Sequence, residues 1–214
     1  MNLIELLDHM GDDLAVVNAA RVSMHKESHK VCADDEKLIR YLAKHKHWTP
    51  FAHVQFQFRI KMPIFVARQW TKSSVGVIRN EVSRRYVDNP PEFWKPNGDW
   101  RGRAEHVKQG SGGLLTGRHT AQTIYENAID VAASRYKMLL DKGVCPEQAR
   151  AVLPQSMMTE FIETGSLAAY ARIYGLRTDP HAQKEIQDYA LAIGEHIEKI
   201  VPVSWAALTV KEQF

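Results

Sequence analysis

A chain of 214 residues is long enough to bury a proper core, and 44% hydrophobic with 25% charged residues excludes a fibrous or disordered protein. The formal charge of +3 is modest, but ten histidines and a pI near 8.8 give locally positive surfaces that attract anions such as phosphates, and on that basis alone leave nucleic acid possible. No apolar run approaches the roughly 20 residues needed to cross a bilayer, and Met1 to Met10 carries acids where a leader would carry bases. The expectation is one cytoplasmic domain over residues 1–214.

In chain order, Met1 to about Asn18 reads as one or two short helices. A clearer helix opens at Asp34-Asp35-Glu36, with Leu38, Ile39 and Leu42 on one face and Lys44 and Lys46 at its end, as the helix dipole prefers. His47-Trp48-Thr49-Pro50 breaks it. From His53, strict alternation puts Val54, Phe56, Phe58 and Ile60 on one face of a half-buried strand. Pro63 then suits the first turn of a helix reaching Trp70.

Between Asn89 and Arg118 prolines, glycines and two tryptophans replace any periodicity, predicting a long flexible loop, a functional lid or a locally disordered stretch, with Trp94 and Trp100 packing part of it. A long helix over His119 to Asp141, with Ile124, Ala128, Val131 and Leu139 among its buried positions, stops at Lys142-Gly143. A shorter helix starts at Pro146. Met157 to Ile162 reads as a strand, Ser166 to Tyr174 as a helix, and His181 to Ile200 as the last helix, with Ile186, Tyr189, Ile193 and Ile197 inward. Helices around well-separated strands do not alternate as a βαβ protein would, so the fold class is α+β: a compact single domain with a small, mostly antiparallel sheet flanked by helices.

Cys32 and Cys145 stand far apart, without CxxC or Cys/His zinc spacing, and read as reduced thiols. His45, His47 and His53 find no acid to complete a site, so no metal is expected. The densest polar cluster is Arg79-Asn80-Glu81-Val82-Ser83-Arg84-Arg85-Tyr86. Guanidinium forks for a phosphate, Ser83 as a small donor and Glu81 as acceptor for a ribose hydroxyl are what an anionic sugar phosphate requires; a solvated charged strand or turn is the plainer alternative. Arg150 and Arg177 sit among apolar neighbours, where an arginine can equally snorkel. His181, after Pro180, stands where helix amides can hold a phosphate or a flavin oxygen.

Six segments in order resemble the flavin-dependent thymidylate synthases, the ThyX family: Ala20-Arg21-Val22-Ser23, His47 to His53, Pro63 to Trp70, Asn80 to Tyr86, Ala149-Arg150 to Leu153-Pro154, and Leu176-Arg177-Thr178-Asp179-Pro180-His181-Ala182-Gln183. The resemblance implies that family's α+β domain, a homotetramer with active sites between subunits, and a dUMP-type nucleotide as substrate. Residue by residue it puts Gln69, Ser83 and Arg85 near phosphate with Arg84 beside them, Glu81 near the sugar, Arg177 near the uracil as the catalytic cation, and Arg150 at either end. On the flavin side it puts Ser23, Thr49 and His181 against FAD and His47 where folate and flavin rings meet.

The departures fall on that flavin side. Lys72-Ser73-Ser74 stands where the family places Arg-His-Arg, Ile78 occupies a serine position, and one extra residue separates Trp70 from Asn80. Lys72 keeps one charge, while Ser73 and Ser74 cannot reproduce imidazole or guanidinium contacts. Ser166 and Arg172 replace common asparagines, with a phosphate role open to Arg172, and Ala52 replaces a common glutamate.

The implied reaction moves a methylene from methylenetetrahydrofolate to C5 of dUMP and reduces it with FADH2 regenerated by NADPH, without a cysteine nucleophile. Neither a membrane nor a nucleic acid takes part in that reading. Two rivals remain: a relative with the same flavin and folate that makes a hydroxymethyl pyrimidine nucleotide or accepts cytosine, and a non-catalytic nucleic-acid-binding module resting on basic clusters and interleaved tryptophans.

Overall fold

The computed structural model describes residues 4–96, 99–105 and 110–210. By internal packing the described residues form two compact units, those within 4–60, 73–79 and 162–210 in one and those within 61–72, 80–96, 99–105 and 110–161 in the other. A four-stranded sheet has the order β1 (Ile4–Met10), β2 (Gln55–Pro63), β6 (Met158–Ser166), β3 (Val77–Glu81). β1 runs antiparallel to β2, with Ile4 opposite Ile60 and Met10 opposite Gln55. The Leu167 amide bonds the Val54 carbonyl at one end of the β2–β6 pair and the Ile64 amide the Met157 carbonyl at the other, which makes that pair antiparallel too. The chain is α+β with a small antiparallel sheet.

In the first unit, β2 carries the core. Val54, Phe56, Phe58 and Ile60 are fully buried, and the Phe56 and Phe58 rings meet Tyr170 of α7 (Leu167–Arg177) edge-on at 6.3 and 5.4 Å. Ser166 caps α7 by accepting the Ala169 amide hydrogen at 3.2 Å. α8 (Lys184–Glu198) buries Ile186, Tyr189, Ile193 and Ile197, and α9 (Pro202–Thr209) buries Trp205. α2 (Ala33–Lys44) buries Ile39 and Leu42, as the 3.6-residue spacing predicts.

Two expectations need correction here. The segment expected to be helical at the N-terminus gives β1 over Ile4–Met10 before α1 (Asp13–Arg21) starts behind an Asp12 cap; Met1 to Leu3 lie outside the described residues. Seven residues with adjacent Leu6 and Leu7 carry no clean period, and pairing with β2 decides their state. The last long helix starts at Lys184, so His181 stands in the turn before it and not in its first turn. A further helix, α9, follows where the reading stopped at Ile200; Pro202 stands in its first turn, where a missing amide costs nothing.

In the second unit, Pro63 is the N-cap of α4 (Ile64–Trp70), and α5 (Arg118–Asp141) is the long helix. The expected loop over Asn89 to Arg118 contains an antiparallel pair of short strands, β4 (Arg101–Arg103) with β5 (Ser111–Leu114), and Phe93 bridges Met157. Its tryptophans do pack: Trp94 lies 5.3 Å from Phe65 and 6.2 Å from Tyr125, and the Trp100 indole donates to Gln122 at 2.8 Å. Residues 97–98 and 106–109 of that stretch lie outside the described set.

The expected burial of α5 fails at Ile124, Ala128 and Val131, and Leu139 is only half-buried. Ile124 and Val131 are 65% and 57% exposed and Ala128 is exposed, while Tyr136 is buried. Helix period alone does not say which of two apolar stripes finds a partner within the chain.

Candidate active site

Of the residues expected to hold the nucleotide, six lie in the second unit. Glu81, the last residue of β3, accepts the hydroxyl of buried Thr159 from β6, which fixes one carboxylate oxygen. Two residues on, the chain turns at Ser83, whose hydroxyl oxygen accepts from the backbone amide and the Nε of Arg85, both at 3.4 Å. The Arg85 guanidinium is exposed and stacks 4.9 Å from the Tyr86 ring centre. Ser83 and Arg85 thus form a short hook with the fork turned to solvent, a geometry suited to an oxyanion.

Arg84 is different: its guanidinium donates to the Asn89 carbonyl and braces the following turn. Arg150, exposed at the end of α6 (Pro146–Ala149), spends its Nε on the Glu147 carbonyl at 3.2 Å. Gln69 is half-buried on α4 and Lys72 is exposed.

Arg177 and the flavin-side residues belong to the first unit, apart from Lys72. Arg177 ends α7, and burial pulls its guanidinium below the usual arginine range. A cation held in a partly desolvated place acts more strongly on a neighbouring carbonyl than one in water. Thr178 and the Asp179 turn follow it, where the His181 amide and ring Nδ1 meet Asp179 at 2.9 and 3.0 Å.

Two of the flavin-side residues come together. His47 and Arg172 line one cavity of about 320 Å³ with Lys46, Trp48, Phe51 and Ala168. Thr49 opens α3 (Thr49–Ala52) beside them in sequence and is exposed. Ser166 is buried at the base of α7 as its cap. Ser73 is buried and Ser74 exposed. Ser23 stands apart in a 3-10 turn after α1, its hydroxyl donating to the Ala20 carbonyl at 3.0 Å.

One arginine of the motif does not serve as a fork. Arg79 forms an ion pair with Glu163, which is fully buried, and donates from Nη2 to the Ser73 carbonyl at 2.8 Å. Sequence reading placed it with the phosphate cluster and missed Glu163. The available signal was the alternation of β6, where Thr159, Phe161, Glu163 and Gly165 share the buried face and a carboxylate there requires a cation.

These features define an α+β protein equipped for anionic, nucleotide-like ligands. The chain belongs to the thymidylate synthase complementing protein family (Thy1), which matches residues 5–203. The flavin-dependent thymidylate synthase of Thermus thermophilus is 42% identical to it over 204 residues, covering 95% of this chain and 74% of that one. That of Thermosipho africanus is 40% identical over 208 residues, covering 95% and 89%. A UMP/dUMP methylase, PolB from Streptomyces cacaoi, solved with 5-bromo-dUMP, superposes with a TM-score of 0.88 at 30% identity, covering 96% of this chain and 94% of that one.

Proposed function

We propose that the chain is a flavin-dependent thymidylate synthase, converting dUMP to dTMP with methylenetetrahydrofolate as carbon donor and NADPH as reductant. The observation that carries this is the Ser83–Arg85 hook beside the fixed Glu81 carboxylate, in a chain whose family match spans nearly its whole length.

Arg85 and Ser83 bind the phosphate with Gln69 and Arg84 alongside, Glu81 accepts a sugar hydroxyl, and Arg150 neutralises further charge. Arg177 polarises a uracil carbonyl and stabilises the charge that develops on attack at C5. Neither thiol is needed: Cys32 and Cys145 are both exposed, and the Cys32 thiol donates to Asp35.

The flavin site fits its ligand on one observation. Phe51, Ala168 and Ala171 give the cavity by His47 apolar walls for a flat ring, while Lys46 and Arg172 put cations at its margin. Bound FAD supplies the redox chemistry there. His47 and Trp48 hold the ring, and Ser23, Thr49, Lys72, Ser73, Ser74, Ser166, Arg172 and His181 serve the remainder of the dinucleotide, directly or by shaping its surroundings.

Assembly is part of the reading. We take residues 1–214 as one family domain forming a cytoplasmic homotetramer, and the exposed stripe Ile124, Ala128, Val131 and Met138 along α5 supports burial between copies. No described helix is long and apolar enough to cross a membrane.

A visible spectrum of the purified protein, followed by NADPH oxidation with dUMP and methylenetetrahydrofolate and product identification by mass, tests the function. A +14 Da nucleotide product relative to dUMP supports it, as the arithmetic of replacing H by CH3 requires. A protein that neither holds nor takes up flavin ends it. A hydroxymethyl product would favour the nearer rival. PolB is a UMP/dUMP methylase, so UMP belongs in the same assay.

A further inference from the structure

We propose that Arg79 is a positioning residue: its ion pair with Glu163 holds the Ser73 carbonyl inward, so that the turn Ser73 to Gly76 presents outward amides to a phosphate of the flavin dinucleotide. The proposal rests on the reading that this segment faces FAD.

The turn has three carbonyls engaged by the protein. Ser73 accepts from Arg79 Nη2 at 2.8 Å, Val75 from Arg172 Nη2 at 2.9 Å, and Gly76 from the Ser166 amide at 3.2 Å. The Val77 amide closes the turn on the Ser74 carbonyl at 3.3 Å, and Gly76 takes φ +77°. In a trans peptide the C=O and the next N–H point in opposite directions. Fixing the Ser73 and Val75 carbonyls toward the protein therefore turns the Ser74 and Gly76 amides away from it. The Ser74 and Gly76 amides, with only Val75 between them, thus offer two outward donors to an oxyanion, and exposed Lys72 precedes them in the chain.

This supplies what the side chains of Lys72-Ser73-Ser74 lack. The backbone takes over anion contacts, and a buried charge pair keeps it in that shape. Glu163 is fully buried, and its cost of burial is offset by its arginine. The pair also explains why Arg79 is not itself a phosphate ligand: its charge is already balanced.

The test is ligand-selective affinity in apo-protein, read by flavin fluorescence for FAD and, separately, riboflavin, which has no phosphate. The double variant Arg79→Met/Glu163→Leu removes both charges, a replacement that buried ion pairs commonly tolerate. It is expected to unfold cooperatively, to lose about tenfold or more in FAD affinity, and to keep riboflavin affinity within about twofold, since only the outward amides are displaced. Equal losses for both ligands, or an unchanged FAD affinity, overturn the proposal. If the double variant does not fold, Arg79→Lys decides by the same ratio, because it keeps a charge opposite Glu163 but loses the fork to Ser73. Wild-type protein that binds no FAD would instead refute the flavin reading itself.

Discussion

Arg21 grips Asp35 with two nitrogens, Nε at 3.0 Å and Nη2 on the same carboxylate oxygen, across the connection that carries Ser23. Asp35 is 1% exposed and also accepts from the Ser28 hydroxyl and the Cys32 amide, so α1, the loop before α2 and α2 itself are tied through one carboxylate. Burial by itself would raise its pKa, but the hydrogen bonds from Cys32, Arg21 and Ser28 together outweigh that and hold it below the usual carboxylate value. A depressed carboxylate stabilises the fold above the unfolded-state pKa and loses that contribution as pH falls through the folded one. Asp35→Asn is therefore expected to be less stable than wild type at neutral pH, with the gap narrowing below about pH 4. Denaturant midpoints at pH 7 and pH 3.5 check this; a gap that stays constant removes the linkage.

Asp13 makes a comparable tie between the chain's two ends. It is 7% exposed and its two oxygens accept the amides of Val203 and Ser204 at 3.0 and 2.8 Å, satisfying the free donors at the start of α9. Asp13→Ala leaves both amides without that acceptor, and a loss of about 1–3 kcal/mol is expected. Asp13→Asn retains one acceptor oxygen and should lose less. Urea unfolding of both variants measures it, and an unchanged midpoint for Asp13→Ala would contradict the assignment.

Along α5 the prediction concerns copies of the chain. Val131 lies on the exposed stripe, and Val131→Lys should leave the protomer folded while introducing charges that face each other across a shared interface. Light scattering is expected to show smaller assemblies for this variant than for wild type. Identical masses would place the interface elsewhere.

How much of this was readable beforehand depends on where the determining contact lies. β2 was legible because Val54, Phe56, Phe58 and Ile60 repeat every second residue and all end fully buried. β1 was not, because its state is decided by pairing some fifty positions away, Ile4 with Ile60. α5 was found as a helix, but with the wrong face buried: its packing partners include Trp94 and Trp100 from a segment with no periodicity of its own. The site shows the same division. The Ser83–Arg85 hook is local, two residues apart, and could be read as a phosphate motif. Arg79 and Glu163 are 84 residues apart, and nothing near Arg79 in sequence distinguishes a buried pair from a solvent-facing fork.

Arg177 offers the sharpest separation of chemistry from folding. It sits at the C-terminal end of α7, where a cation also complements the helix dipole, so removing it has a structural cost of about 0.3–1 kcal/mol. Its partial burial lowers its pKa, yet a guanidinium lowered from the usual arginine range remains charged at neutral pH. Arg177→Ala is accordingly expected to fold with a nearly unchanged midpoint and to retain flavin, while turnover with dUMP falls by about 100-fold or more, the scale seen when one charge-stabilising group is removed. Arg177→Lys restores the charge without the planar fork and should recover only part of the rate. Steady-state kinetics beside a flavin spectrum distinguish the cases: near-normal activity in Arg177→Ala removes the polarising role, and loss of both flavin and folding would make Arg177 a structural residue.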